Sequence, residues 1–123
     1  MKHEPTTEAH VKDIIRQWCD KRGAHHFPVV QNGMGVHGIP DRIACVPITI
    51  TPEMVGKRVG LFLGIEAKKP GRRGEPDRGM SKHQVLFMEG VKKAGGLSFC
   101  VDGHEDLLEL QAALQQLTGE SNG

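Results

Sequence analysis

Phe62-Leu63-Gly64-Ile65-Glu66-Ala67-Lys68 closes a nearly continuous apolar run, residues 59–67, and ends it in charge. Such a run suits a strand buried on both faces in the centre of a mixed sheet. Charged groups beside a buried strand are rare unless they are paired or bound to metal, and places where local rules fail are often functional. Side chains along a strand repeat with period two, so Glu66 and Lys68 project to the same side. Upstream, Gly38-Ile39-Pro40-Asp41 sets a second carboxylate before another strand-rich stretch. Two carboxylates at strand ends suit a hard divalent cation, with the lysine converging on the same point. Taken singly, each has an ordinary reading: Asp41 as a turn residue after Pro40, Glu66 with Lys68 as a solvated strand end carrying a weak ion pair.

Working outward, Thr6 or Thr7 caps a predicted helix in which Val11, Ile14, Ile15, Trp18 and Cys19 form one buried stripe, with Gly23 ending it. Residues 26–30 read as a short strand, residues 31–38 as a glycine-rich loop, and residues 43–50 as a strand whose Pro47 marks an edge or bulge. After Lys68, residues 69–79 hold Pro70, Gly71, Gly74, Pro76 and Gly79 among charges and read as a mobile loop. Ser81-Lys82-His83-Gln84 fits a capping box, Ser81 as cap and Gln84 reaching back. The helix that follows turns Val85, Met88 and Val91 inward and ends at Gly95-Gly96. Leu97–Val101 reads as a strand, and a last helix carries Leu107, Leu110, Leu114 and Leu117 on one stripe. One domain over residues 1–123 is expected, with an ordered core of about 6–117 and a frayed tail at 118–123.

Length and composition narrow the classes. A chain of 123 residues holds one domain with a modest core and leaves no room for a separate nucleic-acid-binding domain. Hydrophobic content of 37% and charged content of 25% are ordinary for a globular protein, and no apolar run reaches membrane-spanning length. The polar start Met1-Lys2-His3-Glu4-Pro5 is unlike a secretory signal, so an intracellular, cytoplasmic location without membrane is expected. Cys19, Cys45 and Cys100 are odd in number and widely spaced, which disfavours a disulfide framework or zinc ribbon and suits small buried residues.

The order Gly38-Ile39-Pro40-Asp41, Phe62 to Lys68, Ser81-Lys82-His83-Gln84 and Gly95-Gly96 into Leu97–Val101 resembles the VRR-NUC branch of the PD-(D/E)XK nucleases in its minimal stand-alone form. The likeness runs from the first helix to about Val101; Ala67 departs from it, many relatives carrying a β-branched residue there. The resemblance implies an α/β fold, a restriction-endonuclease-like PD-(D/E)XK core with a central mixed β-sheet flanked by α-helices. It implies a divalent-metal-dependent DNA endonuclease acting on Holliday junctions or other branched DNA, in the manner of small phage-encoded resolvases. Asp41, Glu66 and the backbone carbonyl of Ala67 would hold Mg²⁺ or Mn²⁺, with water completing the shell. Lys68 would orient the attacking water or stabilise the transition state, and a general-base role stays open. Glu8 resembles a glutamate that completes the metal site in related resolvases, and equally suits a favourable acid in a helix first turn. Gln84 is either a capping residue alone or has a second role touching the site water or phosphate.

Between Lys68 and Lys82 six basic residues stand against two acidic ones, although the formal net charge of the chain is only +1. Lys69, Arg72, Arg73, Arg78 and Lys82 are therefore candidate phosphate contacts, which gain affinity through counterion release; a solvated charge run is the competing account. Gly33-Met34-Gly35-Val36-His37-Gly38 matches G-x-G-x-x-G, but a strand rather than a helix is expected to follow, which removes the dinucleotide reading. His25, His26 and His37 lack a metal-ligand pattern. A C2 homodimer would supply two sites for symmetric nicking, using the last helix or the Pro47 strand. The rival readings are a non-catalytic nucleic-acid-binding module of the same fold and a sequence-specific restriction-type enzyme.

Overall fold

The computed structural model of the chain describes residues 4–30, 38 and 40–119. It is of mixed α/β class, with three α-helices and two small sheets among the described residues. The chain divides into two compact units, Met1–Gly60 and Leu61–Gly123. Most of the glycine-rich loop, Ile39 and residues 120–123 of the expected tail lie outside the described residues.

In the first unit, α1 (Glu8–Lys21) begins at Thr7, whose backbone is extended and whose hydroxyl accepts the amide of His10 at 3.1 Å. Gly23, at φ 71°, turns the chain out of the helix. Of the predicted stripe, Cys19 is buried while Val11, Ile14, Ile15 and Trp18 are exposed. Among the described residues of its own unit α1 packs against a short hairpin: β1 (His25–Pro28) pairs antiparallel with β2 (Arg42–Cys45), His26 opposite Ala44 and Pro28 opposite Arg42. The Val29 amide donates to the Asp41 carbonyl at 2.8 Å and carries the pairing one step further. The strand expected over residues 43–50 stops at Cys45, since Pro47 has no amide to continue a ladder.

Three side chains tie α1 to this hairpin. The His26 ring lies between Asp20, 2.7 Å from Nε2, and Arg42, 2.8 Å from Nδ1. Arginine only donates, so Nδ1 is the acceptor and the ring proton sits on Nε2, facing the carboxylate.

The second unit opens on β3 (Leu63–Ala67), which runs parallel to β4 (Leu97–Val101) with Glu66 opposite Cys100. The Leu97 amide to the Phe62 carbonyl and the Lys68 amide to the Val101 carbonyl, both 2.9 Å, extend the ladder at each end. The crossover carries α2 (Lys82–Lys93), and α3 (His104–Thr118) follows β4. Met88 and Val91 of α2, Ala94 at its C-terminal cap, Ser98 and Cys100 of β4 and Leu110 of α3 form the core. Complete burial of Val91 contributes about 1.5–3 kcal/mol. A methyl on Gly64 would already lie 3.8–3.9 Å from Met88, Ser98 and Val91, so α2 sits close on this face of β3.

One expectation for this region is corrected. β3 is not buried on both faces: Gly64 and Glu66 are half-buried, while Leu63 and Ile65 alternate with them and Ile65 keeps 52% exposure. An apolar run sets how willingly a strand is buried, whereas the number of layers laid on it is set by the rest of the fold. The described strands pair as β1 with β2 and β3 with β4. Residues 69–79, read as a loop, contain two 3₁₀ turns, Arg72–Gly74 and Pro76–Gly79. Asp77 and Arg78 take left-handed backbone there, at φ 50° and 56°, which costs about 1–2 kcal/mol per non-glycine residue.

On α3 the expected leucine stripe is displaced. Leu110 is buried, but Leu107 and Leu117 are exposed, and the other fully buried position of that helix is Asp106.

Candidate functional site

Glu66 and Lys68 leave the same face of the β3 end, and the first turn of α2 brings Gln84 over them. The side chains of Glu66 and Lys68 are 30% and 20% exposed, and their charged atoms stand 3.9 Å apart. Gln84 bridges the pair: its Nε2 donates to Glu66 Oε1 at 2.8 Å, and its Oε1 accepts from Lys68 Nζ at 3.1 Å. The same Oε1 accepts the Ser81 amide at 2.9 Å while the Ser81 hydroxyl accepts the Gln84 amide at 3.2 Å, completing the capping box. Only one orientation of the amide serves all three partners, because the ammonium and the backbone amide are donors and the carboxylate an acceptor. Gln84 thus caps α2 and bridges the charged pair at the end of β3.

Gln84 and Lys68 both meet the Glu66 carboxylate at Oε1. Ala67, between the two charged residues, turns its side chain to the opposite, exposed face. No three His, Cys, Asp or Glu side chains among the described residues gather into a metal cage. Mg²⁺ needs none, since it retains several waters and takes one or two carboxylates.

Asp41 and Glu8 belong to the first unit. Asp41 stands exposed at the start of β2, its carbonyl held by Val29. Glu8 lies in the first turn of α1, 3.8 Å from Lys12 and largely exposed.

The predicted phosphate contacts divide into two groups. Lys69 and Lys82 are exposed and carry no ion pair among the described residues. Arg72 pairs with Glu75 at 2.8 Å. Arg73 and Arg78 instead both bind the Asp106 carboxylate through Oδ1, and Arg73 also reaches Glu109. Asp106 Oδ2 accepts the Asp102 amide at 2.9 Å, and Asp102 in turn accepts the Arg73 amide at 2.9 Å. The Asp102 amide, and then the Arg78 guanidinium, hold the Asp106 carboxyl well below the usual carboxylate range. Glu109 and Asp106 respectively raise Arg73 and Arg78, whose charge is permanent in any case.

Asp106 is the residue that sequence reasoning missed. Its signal was an acid four positions before Leu110, on the buried side of a helix, with surplus arginines in the preceding loop.

No protein-family model, curated protein or solved structure matches the chain.

Proposed function

We propose that this protein is a divalent-metal-dependent DNA endonuclease with a PD-(D/E)XK core of the VRR-NUC type. The observation that carries the reading is the bridged trio of Glu66, Gln84 and Lys68, which sets a half-buried carboxylate beside an ammonium group. That combination suits hydrolysis of a phosphodiester bond. Glu66 would hold Mg²⁺ or Mn²⁺, joined by the Ala67 carbonyl and Asp41 on the strength of the sequence resemblance, and Glu8 is a further candidate on the same ground. When bound, the cation supplies charge stabilisation at the phosphoryl oxygens and lowers the pKa of its water. Lys68 places a positive charge where the phosphoryl oxygens accumulate negative charge. Gln84 keeps the Lys68 ammonium from collapsing onto Glu66, and the exposed Lys69 and Lys82 hold the backbone without reading sequence.

Branched DNA such as a Holliday junction is the proposed substrate and a C2 homodimer the proposed working form, both from the resemblance. A solution mass equal to one chain, by light scattering without DNA, would remove the dimer. No described helix is long and apolar enough to cross a membrane.

The test is cleavage of matched linear duplex, single-stranded, flap and four-way-junction DNA with Mg²⁺ or Mn²⁺, comparing wild type with Asp41→Ala, Glu66→Ala and Lys68→Ala. Metal-dependent cutting lost in all three is the expected result. DNA binding without cutting, unchanged by the substitutions, would sink the nuclease and favour a binding module; cutting at one fixed short sequence in linear duplex would favour a restriction-type enzyme.

A further inference from the structure

Residues 69–80 leave β3 at Lys68 and return at Ser81, so their path sets where Gln84 meets Lys68 and Glu66. That path is pinned from outside. Arg73 and Arg78 converge on Asp106 at the start of α3, and the Arg73 amide is held by Asp102. Asp106 is fully buried, a position that a carboxylate keeps only when its charge is matched by donors such as these. Asp77 and Arg78 adopt consecutive left-handed conformations that non-glycine residues avoid, and such strain persists where surrounding contacts over-determine it. Arg78 supplies such a contact itself, since its side chain ends on Asp106.

We propose that Asp106 is a positioning residue: through Arg73 and Arg78 it locks the linker between Lys68 and Ser81, and thereby fixes the alignment of Gln84 over Lys68 and Glu66. The functional part rests on the nuclease reading above. A second consequence concerns DNA. Guanidinium groups committed to an internal carboxylate act as struts, which leaves Lys69, Lys82 and the surface-paired Arg72 as the phosphate contacts of this stretch.

Arg78→Ala, Arg78→Lys and Asp106→Asn, with Lys69→Ala as reference, separate these roles. Three quantities are read: hydrogen exchange of the linker amides without DNA, the salt dependence of junction binding in EDTA, and single-turnover cleavage with Mg²⁺. In Arg78→Ala and Asp106→Asn the Glu75, Arg78 and Met80 amides, which close the 3₁₀ turns, should lose protection. Cleavage should slow roughly tenfold, as when an outer-shell partner is removed, with the salt slope unchanged and Arg78→Lys closer to wild type. Lys69→Ala should instead lower the salt slope by about 1.

Tighter junction binding by Asp106→Asn would overturn the proposal, since freed arginines would then be phosphate ligands. So would a reduced salt slope in Arg78→Ala, or unaltered exchange in both variants. If Asp106→Asn does not fold, Arg78→Ala carries the same three readouts. Exchange tests the clamp whether or not DNA is cut. Wild type that cuts none of the substrates would overturn the nuclease, and the positioning role with it, while leaving the clamp measurable.

Discussion

Gln84→Ala and Ser81→Ala remove overlapping parts of one network, and their difference separates helix capping from site geometry. Ser81→Ala deletes the hydroxyl that accepts the Gln84 amide at 3.2 Å, a loss of about 1 kcal/mol of stability for a cap. Gln84→Ala deletes the acceptor of the Ser81 amide and both bonds to the charged pair on β3. A neutral hydrogen bond contributes about 0.5–1.5 kcal/mol and one to a charged group more, but Glu66 and Lys68 are 30% and 20% exposed and regain water. A total near 2 kcal/mol follows, on the order of twice the Ser81 effect, or a melting temperature lower by about 4–8 °C. Cleavage should diverge further than stability. Well below the melting point Ser81→Ala should cut within about twofold of wild type, whereas Gln84→Ala should lose about 10–100-fold, the usual cost of removing a partner that orients a site. Thermal melts and single-turnover cleavage on one preparation measure both. Equal fractional losses of activity in the two variants, or near-normal cutting by Gln84→Ala, would refute the bridging role and leave Gln84 a cap.

Further outcomes follow from the same geometry. Asp106 is depressed in the folded state, so its stabilisation is complete above the unfolded carboxylate pKa of about 3.9 and is lost as pH falls from there through the folded value. The difference in urea midpoint between wild type and Asp106→Asn should therefore hold from pH 8 to 5 and shrink below about pH 4; a difference unchanged at pH 3 would contradict it. Gly64→Ala should be nearly neutral, because its methyl meets neighbours at ordinary contact distance, whereas Gly64→Leu should cost about 1–3 kcal/mol by overpacking against Met88 and Val91. Cys19, Cys45 and Cys100 are buried thiols outside any disulfide, and burial pushes the Cys100 thiol up, so native protein should react slowly with a thiol reagent and release three equivalents only in denaturant.

The features read correctly from sequence are those whose physics is local. The Ser81 capping box spans one helical turn, and both reciprocal bonds are present. The shared face of Glu66 and Lys68 follows from strand period, and Leu97–Val101 is a strand over the whole predicted length. Features decided by distant partners were not legible. The apolar run ending at Ala67 gives no account of which face receives a helix. Asp106 and its two arginines lie 28 and 33 residues apart in sequence, and nothing near Arg73 or Arg78 distinguishes an internal strut from a solvated cation. The part of Asp41 stays with the sequence resemblance.

A single oxygen, Oε1 of Gln84, receives both the amide of Ser81, the cap of α2, and the ammonium of Lys68. The ends of helices are where chains open most readily, on a scale of free energy far below global unfolding. Each time the first turn of α2 frays, Lys68 is released along with it. The working lifetime of the trio is thus the closing lifetime of one helical turn, and solutes or temperatures that loosen that turn would silence the protein while its fold, by any global measure, stayed intact.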